Sequence, residues 1–356
     1  MRKSTYSGDI LGIGLATLWV STLMLAGCAP KEAAPIFGFP PVAVQATGET
    51  EPVGTVAADA ADDPAIWRNA ATPANSLIVA TDKQAGLYVY GLDGKIRSFI
   101  DAGRVNNVDL IEVGERIIVA ASDRNMIAQS RIALFVLNPD DAKLSPLGHV
   151  ASGPGEGYGI CIKEAHAPGK LEIFAVLKAG AINHVEVDVG ATSATANVVH
   201  TMDVPTQPEG CVVDKAGNLY VGEERAGIWR FPAARGGGST GTMIAPIDNQ
   251  RLVADVEGLT IIRDAGGAEY LIASSQGDNA YAVWSLPEMR YIGRFAITAG
   301  SFGATSETDG IAAMAGDFGP DYPDGLFIAQ DGNNAPAAQN FKLVGWQAVK
   351  AALGIQ

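Results

Sequence analysis

Two sets of residues in this 356-residue chain recur at a spacing that would let them do chemistry together. The first set is Asp63, Asp109, Tyr158, Glu209, Glu257 and Asp309, each at the start of a short apolar run such as Asp63-Pro64-Ala65-Ile66 or Glu257-Gly258-Leu259-Thr260. Subtracting successive numbers gives 46, 49, 51, 48 and 52, a period of about fifty residues. The second set closes an apolar run in each repeat: Lys83, Arg124, Lys178, Glu224, Gln276 and Asp331. Repeats arranged about one axis would bring both sets to a single mouth. Two like charges about 4 Å apart cost roughly 1 kcal/mol in water and about 4 kcal/mol at an effective dielectric of 20. A ring of carboxylates must therefore raise its pKa values or gather hard cations. Donors that are all oxygen select Ca²⁺ over Zn²⁺. The second set divides by sign, with Lys83, Arg124 and Lys178 in the first three repeats and Glu224, Gln276 and Asp331 in the last three. Phosphate oxygens would meet Lys and Arg directly on one side, and calcium would bridge them to carboxylates on the other. That asymmetry suits a small polyphosphate better than a neutral sugar or a lactone.

Other catalytic signatures are missing from the sequence. There is no Arg-His-Gly motif, no Cys followed by Arg at phosphatase spacing, no phosphate-cradling Gly-rich loop ending in Lys-Ser/Thr, and no G-x-S-x-G elbow. His149, His166, His184 and His200 are scattered without ligand spacing, and Gly236-Gly237-Gly238-Ser239 reads as a flexible hairpin.

The elements that must position the two sets are short strands. Each repeat holds three or four apolar runs with period-two alternation, as in Ile78-Val79-Ala80-Thr81 followed by Leu87-Tyr88-Val89-Tyr90 and the turn Asp93-Gly94. Six such repeats predict an all-β, six-bladed β-propeller, with a short C-terminal helical cap over Trp346–Leu353. Trp67, Trp229, Trp284 and Trp346 fall within strand or cap patterns and read as packing residues.

Composition agrees with one folded domain, at 47% hydrophobic and 18% charged residues. The net charge of −14 argues against nucleic acid as a partner. At the N-terminus, Arg2 and Lys3 precede a nearly continuous apolar run over residues 10–27, and Leu25-Ala26-Gly27-Cys28 has the form of a bacterial lipobox. The expected organisation is a lipoprotein signal peptide over 1–27, an Ala/Pro-rich tether over 28–53 with one strand near 42–45, and the propeller over 54–356. Cys28 would carry the lipid, giving an exported, membrane-anchored protein facing the periplasm or the cell exterior. One closed ring on a tether suggests a monomer. Export would permit a disulfide between Cys161 and Cys211, with two buried thiols as the alternative.

At these residues the chain resembles the β-propeller phytases. The resemblance is carried in order by Asp62-Asp63-Pro64-Ala65-Ile66-Trp67, Asn106-Asn107-Val108-Asp109, Pro208-Glu209-Gly210 and Asp255-Val256-Glu257-Gly258-Leu259-Thr260. It continues through Ala273-Ser274-Ser275-Gln276-Gly277, Thr308-Asp309-Gly310, Gly325–Gly332 and Gln339-Asn340-Phe341-Lys342, and spans roughly residues 55 to 348. It implies a calcium-dependent phosphomonoester hydrolase of the 3-phytase type. Such an enzyme removes phosphate from phytate (inositol hexakisphosphate), or from other inositol polyphosphates, taken as calcium complexes and attacked by a calcium-bound water. By match to the family motifs, Lys83, Arg124, Tyr158 and Lys178 would hold phosphate. Glu209, Asp255, Glu257 and Asp309 would ligate several catalytic calcium ions, with Glu224 and Gln276 beside them. Asp63, Asp331 and Asn340 would serve a structural calcium joining the first and last blades. The family often has two adjacent lysines where this chain has Lys83-Gln84, and an acidic or polar residue where it has Ala179. Those departures bear on a second, non-cleaved phosphate site. The alternatives are a calcium-dependent propeller lactonase, which would need the acidic ring without the Lys83–Arg124–Lys178 arc, and a non-catalytic surface-binding propeller.

Overall fold

The computed structural model describes residues 37–56, 59–163 and 169–355. The expected signal peptide, Cys28 and the first part of the expected tether lie outside the described residues.

Six sheets, each built on four antiparallel strands, form the blades of a propeller. The first blade runs Ala61–Trp67, Leu77–Asp82, Gly86–Gly91 and Ile96–Asp101 from the inside outward. The innermost strands of the others are Val105–Val113, Gly157–Lys163, Pro208–Val213, Val256–Arg263 and Ile311–Ala315. Each inner strand contacts the inner strand of the next blade, and the sixth contacts the first, so the ring is closed.

Period-two alternation explains how one sheet serves two neighbours. In the strand Leu77–Asp82, Leu77 and Val79 join a core shared with the second blade, whereas Ile78 and Ala80 join one shared with the sixth. The remaining cores likewise lie between successive blades, and this is why the middle strands read as unbroken apolar runs. The outermost strand Ile96–Asp101 has no blade beyond it and is largely exposed, with no buried residue.

The expected boundary at residue 54 is displaced. Val42–Gln45 pairs parallel with Arg290–Thr298 at the edge of the fifth blade, and Gly48–Glu49 pairs antiparallel with Asn340–Gly345 to complete the sixth. The N-terminal segment thus closes the ring onto the C-terminal blade. Its Pro40-Pro41 start and its strands of four and two residues hide this role behind a linker-like composition. The C-terminal helix Trp346–Leu353 forms as expected, burying Trp346 and Val349 against the fifth and sixth blades.

Cys161 and Cys211 form a disulfide between the inner strands of the third and fourth blades. The bond spans 50 residues of sequence, for which the chain-entropy model gives about 4 kcal/mol. Reductant is therefore expected to lower the thermal unfolding midpoint by several degrees. An unchanged midpoint in protein shown to be fully reduced would remove the disulfide from the stability of this seam.

Candidate active site

Strand register decides which side chains reach the mouth. In each of the first five inner strands a bulge interrupts pairing at the same place, between Ala61 and Pro64, Val105 and Val108, Gly157 and Ile160, Pro208 and Cys211, and Val256 and Leu259. Ile311, paired with Ala329, marks the equivalent of Pro64 in the sixth blade. Aligned on these pairings, the ring position is held by Asp62, Asn106, Tyr158, Glu209, Glu257 and Asp309.

Two members of the ring expected from the sequence are therefore corrected. Asp63 and Asp109 line the channel below the mouth, around a cavity of about 140 Å³. Asp63 Oδ2 accepts the Val108 amide at 3.0 Å, pinning the first blade to the second. Asp109 accepts the amides of Leu110 and Ile162, each at 2.7 Å, and burial raises its pKa to about 6. The same register corrects the second set, since Gly332, not Asp331, is the sixth-blade equivalent of Lys83.

The residue after each ring position is Gly159, Gly210, Gly258 or Gly310 in the last four blades, and each lies against the backbone of the ring residue in the next blade. A Cβ on Gly258 would come within 2.6 Å of the Asp309 carbonyl oxygen, and one on Gly310 within 2.5 Å of that of Asp62. Gly159 and Gly210 meet Glu209 and Glu257 more closely still. Hydrogen bonds run through the same contacts, from Gly258 N to Asp309 O at 2.8 Å and from Gly310 N to Asp62 O at 3.0 Å. The repeat's glycine is thus a packing requirement that spaces the carboxylates about the axis.

On the basic side, Arg124 donates through Nε (2.9 Å) and Nη2 (2.6 Å) to Glu156 Oε1, and through Nη1 to Asn106 Oδ1 at 2.6 Å. Arg124 and Lys178 both lie over the Tyr158 ring, 5.3 and 4.8 Å from its centroid. Lys83 is buried, and its Nζ lies 2.6 Å from Asp59 Oδ1, 2.8 Å from Asp309 Oδ2 and 3.0 Å from Asp62 Oδ1. Burial alone would lower its pKa, but Asp62, Asp309, Glu209 and Asp59 together raise it well above the ordinary lysine value.

The acidic side converges more tightly. Glu209, Glu224 and Glu257 each place one carboxylate oxygen within 4.8 Å of the others. Gln207 donates to Glu224, Gln276 Nε2 donates to Asp309 Oδ1 at 2.6 Å, and the Asp255 carboxylate lies 3.7 Å from Arg225. Glu257 Oε2 and both Asp62 oxygens are buried without a hydrogen bond, the Lys83–Asp62 approach being close but poorly aligned. Burial, reinforced by neighbouring carboxylates, drives the pKa values of Asp62, Glu209 and Glu257 upward, and that of Glu224 to about 7. Unpartnered buried oxygens converging without a nitrogen or sulfur donor are what a hard cation requires. The residues present fit calcium.

Asp331 and Asn340 are brought together elsewhere. They surround the fully buried Lys342, whose Nζ lies 3.1 Å from Asp331 Oδ2, 3.0 Å from Asn340 Oδ1 and 2.6 Å from Glu49 Oε2. This cluster joins the closing N-terminal strand to the last blade. Asp63 has no hydrogen bond to it among the described residues, so the expected trio is split.

Sequence reasoning missed Asp59, Asp62, Asn106 and Glu156. Asp62 and Asn106 stood one residue or a few residues from those chosen. Asp59 and Glu156 come from loops that enter the inner strands and share no repeated residue type.

The Phytase family profile matches residues 13–356. The chain is 38% identical over 327 residues to a 3-phytase of Bacillus subtilis (strain 168), covering 87% of this chain and 85% of that protein. Among solved structures it resembles an α-L-arabinofuranosidase of Fusarium graminearum, with TM-score 0.56 at 9% identity, and an α-L-arabinanase of Penicillium chrysogenum, with TM-score 0.55 at 10% identity. Each covers 85% of this chain and 99% of the other. At such low identity these two likenesses concern the propeller fold alone.

Proposed function

We propose, on the premise that this chain belongs to the phytase family, that it works with calcium held by the acidic half of its mouth. Membership makes it a phosphoric monoester hydrolase that removes phosphate from phytate. The observation that carries the calcium reading is the convergence of Glu209, Glu224 and Glu257, with Glu257 Oε2 buried and without a hydrogen bond.

Glu209, Glu224 and Glu257 would hold the metal, with Asp62, Asp255, Asp309 and Gln276 around them. Bound there, calcium would acidify water and neutralise charge on the phosphoryl group. Arg124 and Lys178 form the opposite wall, where cations already clustered over Tyr158 meet phosphate oxygens at little ordering cost. Lys83 sits between the halves and can exchange a carboxylate for a phosphate oxygen. None of these mouth residues is a Ser, Cys or His nucleophile, and carboxylates engaged by a cation are poor nucleophiles, which together favour direct attack by water without a covalent phospho-enzyme. The Arg124–Lys178 wall also favours a polyphosphate over a lactone.

Stability against pH tests the metal reading. A carboxyl group whose folded pKa lies above its unfolded value stabilises the fold fully below the unfolded pKa, and loses that contribution as pH rises through the folded one. For Glu224 the window runs from the ordinary 4.5 through about 7, and the upward shifts of Asp62, Glu209 and Glu257 act in the same direction. Chelated protein is therefore expected to melt at progressively lower temperature across that window. Calcium, which binds the ionised carboxylates, is expected to flatten or reverse the slope. Melting curves with chelator and with calcium that keep the same slope would contradict calcium binding at this cluster.

We further propose export as a monomeric lipoprotein anchored through Cys28. The sequence Leu25-Ala26-Gly27-Cys28 after an apolar run supports this reading. Fatty-acid labelling that persists in Cys28→Ala would exclude that attachment point.

A further inference from the structure

We infer that Asn106 is a positioning residue that ties the phosphate wall to the metal cluster, making Arg124 and Glu209 one unit across the channel. The inference rests on the calcium reading above. Asn106 occupies the ring position of the second blade and is fully buried. Its Oδ1 accepts from Arg124 Nη1 at 2.6 Å, and its Nδ2 donates to Glu209 Oε1 at 2.7 Å. The amide orientation is dictated by its partners, because a guanidinium only donates and an ionised carboxylate only accepts. Asn106 belongs to the second blade and Glu209 to the fourth, so the bond passes the third blade at the channel mouth.

Few side chains could do this. The ring position must accept from a cation and donate to an anion at once, within one short side chain. A carboxylate there would serve Arg124 but repel Glu209, and an apolar residue would take a partner from Arg124 Nη1 and from Glu209 Oε1 at once. Glu156 has a narrower role. It takes Nε and Nη2 of Arg124 and has no hydrogen bond to the acidic cluster among the described residues. The two partners can therefore be separated. Glu156 orients the phosphate-binding guanidinium alone, whereas Asn106 orients that guanidinium and a metal-binding carboxylate together.

The test compares full-length wild-type protein with Asn106→Leu and Glu156→Gln. Calcium affinity is measured by calorimetric titration without substrate, and KM for phytate is measured at saturating calcium. Loss of an outer hydrogen-bond partner of a metal ligand typically costs about 10- to 100-fold in metal affinity. Asn106→Leu is expected to weaken calcium binding by that factor and to raise KM by about tenfold. Glu156→Gln is expected to raise KM while calcium affinity stays within about twofold of wild type. If Asn106→Leu does not fold, Asn106→Ala, which only removes atoms, is read in its place. Calcium affinity unchanged in the Asn106 variant would overturn the inference, as would equal losses of calcium affinity in both variants, which would indicate general loosening. Wild-type protein that binds no calcium would instead defeat the calcium reading, and with it the Glu209 half of this inference. The Arg124 half would then stand or fall on the KM shift.

Discussion

Glu209→Gln is expected to lower kcat/KM on phytate by about 10³-fold while the protein remains folded. The substitution keeps the size of the side chain and an oxygen able to accept from Asn106, so the ring geometry is preserved. It removes one negative charge from a buried cluster whose other close members are Glu224 and Glu257. Burial already disfavours ionisation of Glu209, so the apo fold should tolerate a neutral amide well and even gain stability at neutral pH. Loss of activity with retained or raised thermal stability would place Glu209 in the chemistry and not in the scaffold. A variant with near wild-type kcat/KM would take Glu209 out of the metal cluster.

Gly210→Ala is expected to cost about 3 kcal/mol of stability and on the order of 10²-fold in activity. The reason is steric and local. A Cβ at this position would run into the Glu257 carbonyl oxygen and come within 2.7 Å of the Leu259 amide nitrogen. Both are backbone atoms of the next inner strand and cannot rotate away, so the two blades must separate. Glu257 is carried on that strand, and moving it displaces a cluster residue without altering any side chain in the cluster. Gly217→Ala is a useful control for a general cost of replacing glycine. It lies in a turn with nothing near the added atom, although its φ of 81° makes some strain expected there too. A fully stable and active Gly210→Ala would contradict the packing account of the repeat.

Much of this was legible in the sequence because a propeller writes its symmetry into the chain. The period of about fifty residues fixes the blade count, and the carboxylate–glycine pairs Glu209-Gly210, Glu257-Gly258 and Asp309-Gly310 mark one position in three blades. The Gly is repeated because the next blade's backbone fills the space of its Cβ. In the first two blades that position holds Asp63 and Asn107, so the glycine marker is lost. A bulge then makes adjacent residues equally plausible by pattern, because it breaks the strict alternation that would choose between Asp62 and Asp63. Only the pairing of Ala61 with Asp82 and Pro64 with Ala80 settles the register. Glu156 and Asp59 could not be read at all. Their partners, Arg124 and Lys83, are 32 and 24 residues away, and nothing in their own neighbourhoods repeats. The closing strand Gly48–Glu49 is too short to show a period, and its partner strand lies at the other end of the chain. For Cys161 and Cys211 the sequence left disulfide and free thiols open, and the choice needed the distance between their Cα atoms, 5.7 Å.

The most direct test of the calcium-dependent mouth is phosphate release from phytate by wild-type protein, in excess chelator and after calcium is restored, with Glu209→Gln alongside. The expected result is no release in chelator, recovery with calcium, and little recovery in the variant. Release that continues undiminished in chelator, or that returns fully in Glu209→Gln, would contradict a calcium-dependent reaction at this cluster.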